Sequence, residues 1–161
     1  VSAAVRVAEP ADLPLLAAVE RAADQLFVPL GMTDFPPPAT PEQRAAAWRV
    51  LVEGRPPRGF AVLERVDGGV HLEQLSVDPA HGRQGIGAAL LAAAVEAARG
   101  AGADRVTLCT YADVPWNGPF YARHGFVEVA EPTPGIAALL AHEVELGLDR
   151  YGRRTAMVRT V

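Results

Sequence analysis

The chain contains no lysine; all fifteen of its basic side chains are arginines. That absence excludes a Walker-type phosphate loop, a Schiff-base lysine and acetylation of a lysine of its own. Cysteine occurs once, at Cys109, so no disulfide can form within the chain, which fits a reducing compartment. Charge of one sign is nowhere concentrated. The net charge is −4, and no basic run interleaved with aromatics offers a track for a phosphate backbone, so nucleic acid is not an expected partner. No segment approaches the ~18–20 apolar residues of a membrane span, and Val1–Leu16 lacks a charged start followed by a long apolar run. A cytoplasmic protein without a membrane partner is expected. What the chain does have is apolar content, 50% of its 161 residues, enough for a core within a single domain over 1–161.

Local patterns predict the elements. Arg6 and Val7 end a first strand, and Pro10 and Asp12 open a helix with Leu13, Leu16, Ala17 and Ala23 on one face, closing at Leu26 and Phe27. Gly31 and the run Pro36-Pro37-Pro38 predict an exposed loop from Val28 to Thr40. Thr40, Pro41 and Gln43 supply an N-cap, a first-turn proline and a capping-box partner for a short helix through Ala47. Trp48–Glu53, Gly59–Arg65 and Val70–Val77 alternate at period two, separated by Arg55-Pro56-Pro57 and by Asp67-Gly68-Gly69, which predicts an antiparallel meander. From Val70 the pattern is strand-helix-strand-helix-strand: the helices are Ile86–Arg99 and Pro115–His124, and the strands after Val77 are Arg105–Tyr111 and Phe126–Val129. A helix over Ile136–Leu146 and a strand over Thr155–Val161 follow. The fold class is α/β (α+β).

Two stretches carry chemistry. His81-Gly82-Arg83-Gln84-Gly85-Ile86-Gly87-Ala88 lies between a strand and a long helix, where unpaired amides and the positive end of the helix dipole suit an anion. Gly85 and Gly87 are equally good helix-capping residues. A dinucleotide fingerprint starting at Gly85 would need glycine or alanine where Leu90 stands, which argues against a Rossmann site. The second stretch, Val114-Pro115-Trp116-Asn117-Gly118-Pro119-Phe120-Tyr121-Ala122-Arg123-His124-Gly125-Phe126, puts a phenol and an amide one turn apart on a short helix. Tyr121 reads either as a proton donor or as core packing, and Asn117 either as a ligand contact or as an N-cap. Trp116 and Phe126 read as core.

Together these stretches resemble the GNAT superfamily of N-acetyltransferases. Gly82–Gly87 is similar to its Gln/Arg-x-x-Gly-x-Gly/Ala turn, with Gly82 at the usual long polar position and Arg83 next to it. Leu75-Ser76-Val77 precedes that turn as the family's strand does. The helix around Tyr121 resembles its Asn…Phe-Tyr-x-x-x-Gly-Phe signature. The resemblance implies a mixed, mostly antiparallel sheet of about six to seven strands, flanked by helices and splayed between the fourth and fifth strands. It implies acetyl-coenzyme A as cosubstrate, its arm pairing with Leu75, Ser76 and Val77 and its pyrophosphate on Arg83, Gln84, Gly85, Ile86, Gly87 and Ala88. It also implies that Asn117 touches the coenzyme arm and that Tyr121 protonates the departing thiolate.

An alkylammonium acceptor must lose a proton before it attacks. Glu73, two residues before Leu75, is the first candidate base, set against the alternative of an exposed carboxylate on the meander; Glu20 is the second and could instead hold a cationic acceptor. Acceptor contacts are expected from Glu20, Phe27 and Gly31, and from the segments Val28–Pro38 and Pro132–Asp149. An acidic lining from Glu20, Asp34, Glu131 or Glu143 would favour a cationic acceptor. His71, His81, His124 and His142 lack metal-ligand spacing, so no metal is expected. Cys109 reads as buried filler rather than a nucleophile. The expected activity is transfer of acetyl from acetyl-coenzyme A to a primary amine of a small molecule or peptide, by direct attack in a ternary complex. The alternative is a non-catalytic acyl-coenzyme A sensor. A homodimer is compatible with either.

Overall fold

The computed structural model describes residues 4–161. Seven strands form a mixed sheet: β1 (Val5–Val7), β2 (Arg49–Glu53), β3 (Gly59–Val66), β4 (Gly69–Val77), β5 (Arg105–Tyr111), β6 (Val127–Glu128) and β7 (Arg154–Thr160). The helices are α1 (Leu16–Asp24), α2 (Pro41–Ala45), α3 (Ile86–Gly100), α4 (Gly118–Arg123) and α5 (Pro134–Glu145). The described residues divide into two compact units, one taking in those up to Glu64 together with Leu72–Ala97, the other Arg65–His71 with Ala98–Val161.

The first unit holds β1-β2-β3-β4 in sequential order, the arrangement that short turns between strands favour. Its core is the apolar face of α1, Leu16 and Val19, packed with Val50, Val52, Phe60 and Val62 of β2 and β3. The predicted capping box forms: Thr40 Oγ1 accepts from Gln43 N at 3.1 Å and Gln43 Oε1 accepts from Thr40 N at 2.8 Å. The predicted loop begins later than expected. A 3₁₀ helix continues over Gln25–Leu30, a geometry that tolerates Pro29, and it ends where Gly31 turns left-handed at φ +79°. At Gly59 an added Cβ would sit 2.9 Å from Ile86 and 3.1 Å from Leu90, so glycine here lets α3 lie close on β3.

In the second unit the start of β4 runs parallel to β5, and β5, β7 and β6 follow in that order. β5 and β7 pair antiparallel along their whole length, from Arg105↔Thr160 to Tyr111↔Arg154. β6 is shorter than predicted, two residues paired with β7. Helix α4 is also shorter than the expected Pro115–His124, because the chain turns tightly before it: a Cβ on Gly118 would lie 2.3 Å from the Ala112 carbonyl oxygen, so only glycine fits. Helix α5 starts two residues earlier than predicted. Pro134 occupies its first turn, and the Asp67 carboxylate, from the β3–β4 turn, accepts from Gly135 N at 2.8 Å and from the Thr133 hydroxyl. A distant carboxylate thus satisfies amides that the helix itself leaves unpaired.

Candidate functional site

Within the first unit, β4 leads into a 3₁₀ turn, Pro79–His81, whose first amide is capped by Asp78 Oδ1 at 2.9 Å from Ala80 N. Gly82 is extended, at φ −63° and ψ 158°, a conformation open to any residue. Arg83 and Gly85 both take left-handed backbone, at φ +61° and +78°; for arginine this is a strained state of the kind that gathers at ligand-binding turns. The first helical hydrogen bond of α3 runs from Ala89 N to Gly85 O at 3.0 Å. The amides of Ile86, Gly87 and Ala88 therefore precede the helical ladder, beside the exposed residues Arg83, Gln84 and Gly85. This is a local geometry that suits an anion.

Upstream on β4, the burial does not alternate at period two. Val70–Leu72 are all buried, Glu73 is exposed, Gln74 and Leu75 are half-buried and Ser76 is buried, so the alternation shows in the side-chain contacts, such as that between Gln74 and Ser76, rather than in burial. Desolvation by its surroundings, followed by the Glu64 carboxylate, pushes the Glu73 carboxyl above the usual range, and Arg44 partly offsets them. That desolvation reflects crowding around an open side chain, not enclosure.

Glu20 is not free. Its Oε2 accepts from Arg44 Nη2 at 2.8 Å and its Oε1 from Gln74 Nε2 at 2.6 Å; the same Gln74 nitrogen donates to Ser76 Oγ at 3.3 Å. Arg44 is 2% exposed. It also donates from Nε to the Ala39 carbonyl at 3.3 Å and lies over the Phe60 ring at 4.6 Å. Its Nη1 is buried without a hydrogen-bond partner among the described residues. One turn beyond Glu20, the Asp24 carboxyl is pushed up to about 6, by desolvation first and by Glu20 second. Phe27 packs edge-on against Phe35 with centroids 5.2 Å apart, while Gly31 is exposed.

Within the second unit, Tyr121 is buried on α4, 5.3 Å from Phe120 and 5.9 Å from Phe126, edge-on to both. Phe126 is core, as expected. Burial raises the phenol well above its ordinary value, with a small opposing pull from Arg154. Asn117 stands at the N-cap of α4 but its side chain does not cap; Nδ2 donates to the Trp116 carbonyl at 3.1 Å. The Cys109 thiol is pushed up to about 12, by desolvation and then Glu143, which keeps it a neutral thiol and a poor nucleophile. His71 is held near 4 by burial, its Nδ1 2.8 Å from Thr107 Oγ1. Glu143 is paired with Arg154, and Arg154 lies over the Tyr111 ring.

These pairs correct the expected acidic lining. Two of its four members, Glu20 and Glu143, are neutralised by arginines. The structure gathers Glu20, Gln74 and Ser76 into one network, and Arg44 acts electrostatically on Glu73 as well. Arg44, Gln74 and Asp24 were not singled out from the sequence. No local signal marks the first two, since the partners in the Arg44–Glu20 and Glu20–Gln74 bonds lie 24 and 54 residues apart. Asp24 lies four residues after Glu20 on one helix face, a spacing that was readable. Among the described residues no group of three or more His, Cys, Asp or Glu side chains is arranged to hold a metal ion, and no helix is long and apolar enough to cross a membrane.

A model of the acetyltransferase (GNAT) family matches residues 17–126. Among solved structures, the chain is similar to the PaiA N-acetyltransferase of Thermoplasma acidophilum in complex with coenzyme A, at a TM-score of 0.74 and 16% identity over 100% of both chains. It is similar to the N-acetylglutamate synthase of Neisseria gonorrhoeae, complexed with coenzyme A and N-acetyl-glutamate, at a TM-score of 0.72 and 21% identity, over 99% of this chain and 35% of that one. The ribosomal-protein-S18-alanine N-acetyltransferase of Escherichia coli matches at a TM-score of 0.69 and 20% identity, over 99% of this chain and 94% of that one. At these identities the likeness to the solved structures is one of fold.

Proposed function

The chain belongs to the GNAT acetyltransferase family, and on that premise we propose that it transfers acetyl from acetyl-coenzyme A to a primary amine of a small molecule or peptide, by direct attack within a ternary complex. The observation that carries the coenzyme assignment is the turn before α3, where Arg83 and Gly85 are left-handed and the amides of Ile86, Gly87 and Ala88 precede the first helical bond. These amides, with the Arg83 and Gln84 side chains, would hold the pyrophosphate. The arm would pair with the backbone of Leu75, Ser76 and Val77 like an added strand. Asn117, whose amide is not spent on capping, would contact the same arm.

The acyl thioester supplies an activated carbonyl. The Ser76 and Val77 amides would stabilise the oxyanion that develops on it, an effect of about 3–4 kcal/mol per donor in other enzymes. Glu73 takes the ammonium proton through water, since a raised carboxyl is a better base than an ordinary one near neutrality. The amine nitrogen then bonds to the carbonyl carbon, the carbon–sulfur bond breaks as Tyr121 gives its proton to the thiolate, and the second proton, released by the nitrogen as the amide forms, returns through water to the Tyr121 oxygen. Burial keeps the phenol protonated but makes it a weaker acid than an ordinary one, so the transfer has to be concerted with the opening of the carbon–sulfur bond. Glu20 is a weaker candidate for the base, because both of its oxygens are engaged. A neutral Cys109 disfavours a covalent acetyl-enzyme.

Initial rates of thiol release, measured with a panel of primary amines while both substrates are varied, test this reading. Intersecting double-reciprocal lines are expected, with a loss of rate in Glu73→Gln that is steepest on the acid limb of the pH–rate profile. Parallel lines would indicate an acetyl-enzyme, and an unaltered acid limb in Glu73→Gln would remove Glu73 from the base role.

A further inference from the structure

The Glu20–Gln74–Ser76 contacts determine which way the Gln74 amide faces. A carboxylate oxygen only accepts, so the group 2.6 Å from Glu20 Oε1 has to be the donating NH₂ end of the side chain. The second N–H of that group is directed to Ser76 Oγ at 3.3 Å. With both hydrogens committed, the amide is not free to flip. Arg44 in turn holds Glu20 through its other oxygen, at 2.8 Å, and is itself almost fully buried against Phe60. The carbonyl end, Oε1, has no hydrogen-bond partner among the described residues. Gln74 is half-buried rather than enclosed, so this oxygen is available to an incoming donor. A preorganised acceptor, on the strand that carries Ser76 and Val77 and with its donor end tied back, matches a group that offers N–H hydrogens.

Resting on the reading just given, we infer that Gln74 Oε1 binds the N–H of the attacking amine, and that Arg44 and Glu20 are positioning residues that present it. The selectivity this creates is for a nitrogen nucleophile over an oxygen one. An amine keeps an N–H while its lone pair attacks, and the product amide of a primary amine keeps one as well, whereas an alcohol has no hydrogen left to donate once it has been acylated. The contact therefore persists along the reaction for an amine and is lost for an alcohol, without requiring a net acidic pocket, in line with the neutralisation of Glu20 by Arg44.

The test does not need the natural acceptor. Two coenzyme A thioethers are compared by calorimetry, one carrying –CH₂–CO–NH–CH₂CH₃ and the other the ester –CH₂–CO–O–CH₂CH₃, with coenzyme A itself as reference. The unmodified protein is expected to bind the amide about five- to tenfold more tightly than the ester, the difference one satisfied hydrogen bond makes. In Gln74→Met, close in volume, this preference should fall below about twofold while the affinity for coenzyme A stays the same. Ser76→Ala, which frees one amide hydrogen, should reduce the preference to an intermediate value, and it carries the test if Gln74→Met does not fold. No amide preference in the unmodified protein, or a preference that survives unchanged in both variants, would overturn the role of Gln74 while leaving coenzyme binding intact. Failure of the unmodified protein to bind coenzyme A at all would overturn the coenzyme reading, and this inference with it.

Discussion

The two units handle protons in opposite ways. In the first, desolvation pushes carboxyls upward: Asp24 to about 6, and Glu73 above its usual range. Asp24, at about 6, exchanges its proton near neutrality. In the second unit the same physical cause acts on groups that start as weak acids, lifting Tyr121 and Cys109 so far that both stay protonated at any physiological pH. Crowding therefore raises carboxyls in one unit and holds a phenol and a thiol protonated in the other. The units also differ in how their cations are spent. Arg44 holds a network that ends on β4, while Arg154 is absorbed by Glu143 and the Tyr111 ring.

The comparison is broken most severely on the donor side. Tyr121→Phe keeps the ring contacts to Phe120 and Phe126 and removes only the hydroxyl; if that hydroxyl is the proposed proton donor, kcat should fall by about 10²–10⁴-fold with coenzyme affinity nearly unchanged, and steady-state thiol release and calorimetry measure the two separately. On the other side, Arg44→Ala leaves Glu20 without its guanidinium. We expect a loss of about 3–5 kcal/mol by urea denaturation, the cost of breaking a buried pair from one end, and less when Glu20→Gln is added. The smallest effect sharpens the comparison through pH. Because the folded-state value of Asp24 is raised to about 6 from 3.8, protonated Asp24 favours the fold: that contribution is complete below about pH 4 and is lost as pH rises through about 6. Asp24→Asn should therefore raise Tm by about 2–4 °C at pH 8, as about 1 kcal/mol does in a chain of this size, and leave it unchanged at pH 4. Equal shifts at both pH values would contradict the raised carboxyl.

Elements with a local cause were legible in the sequence. The capping box at Thr40 and Gln43, strand β5 at Arg105–Tyr111 and the start of α3 at Ile86 all follow from residues next to one another. Boundaries set by distant groups were not. Helix α5 begins at Pro134 with help from Asp67, and α4 is shortened by the contact of Gly118 with Ala112. The site divides in the same way. The phosphate-type turn and the Tyr121 helix are contiguous motifs, whereas the engagement of Glu20 and the orientation of Gln74 depend on a buried arginine from another helix. Burial on β4 does not display the alternation, because Val70, His71 and Leu72 are all buried, whereas the Gln74–Ser76 hydrogen bond, between residues two apart, does.

Thermal unfolding in the presence of acetyl-coenzyme A, desulfo-coenzyme A, NAD or ATP tests the central claim most directly. A ligand at ~100 times its dissociation constant adds about 2.7 kcal/mol to the folded state. The account predicts that the two coenzyme A compounds raise Tm and that NAD and ATP do not. No stabilisation by either coenzyme A compound would contradict it, and would leave the turn from Gly82 to Gly87 as the cap of a helix and nothing more.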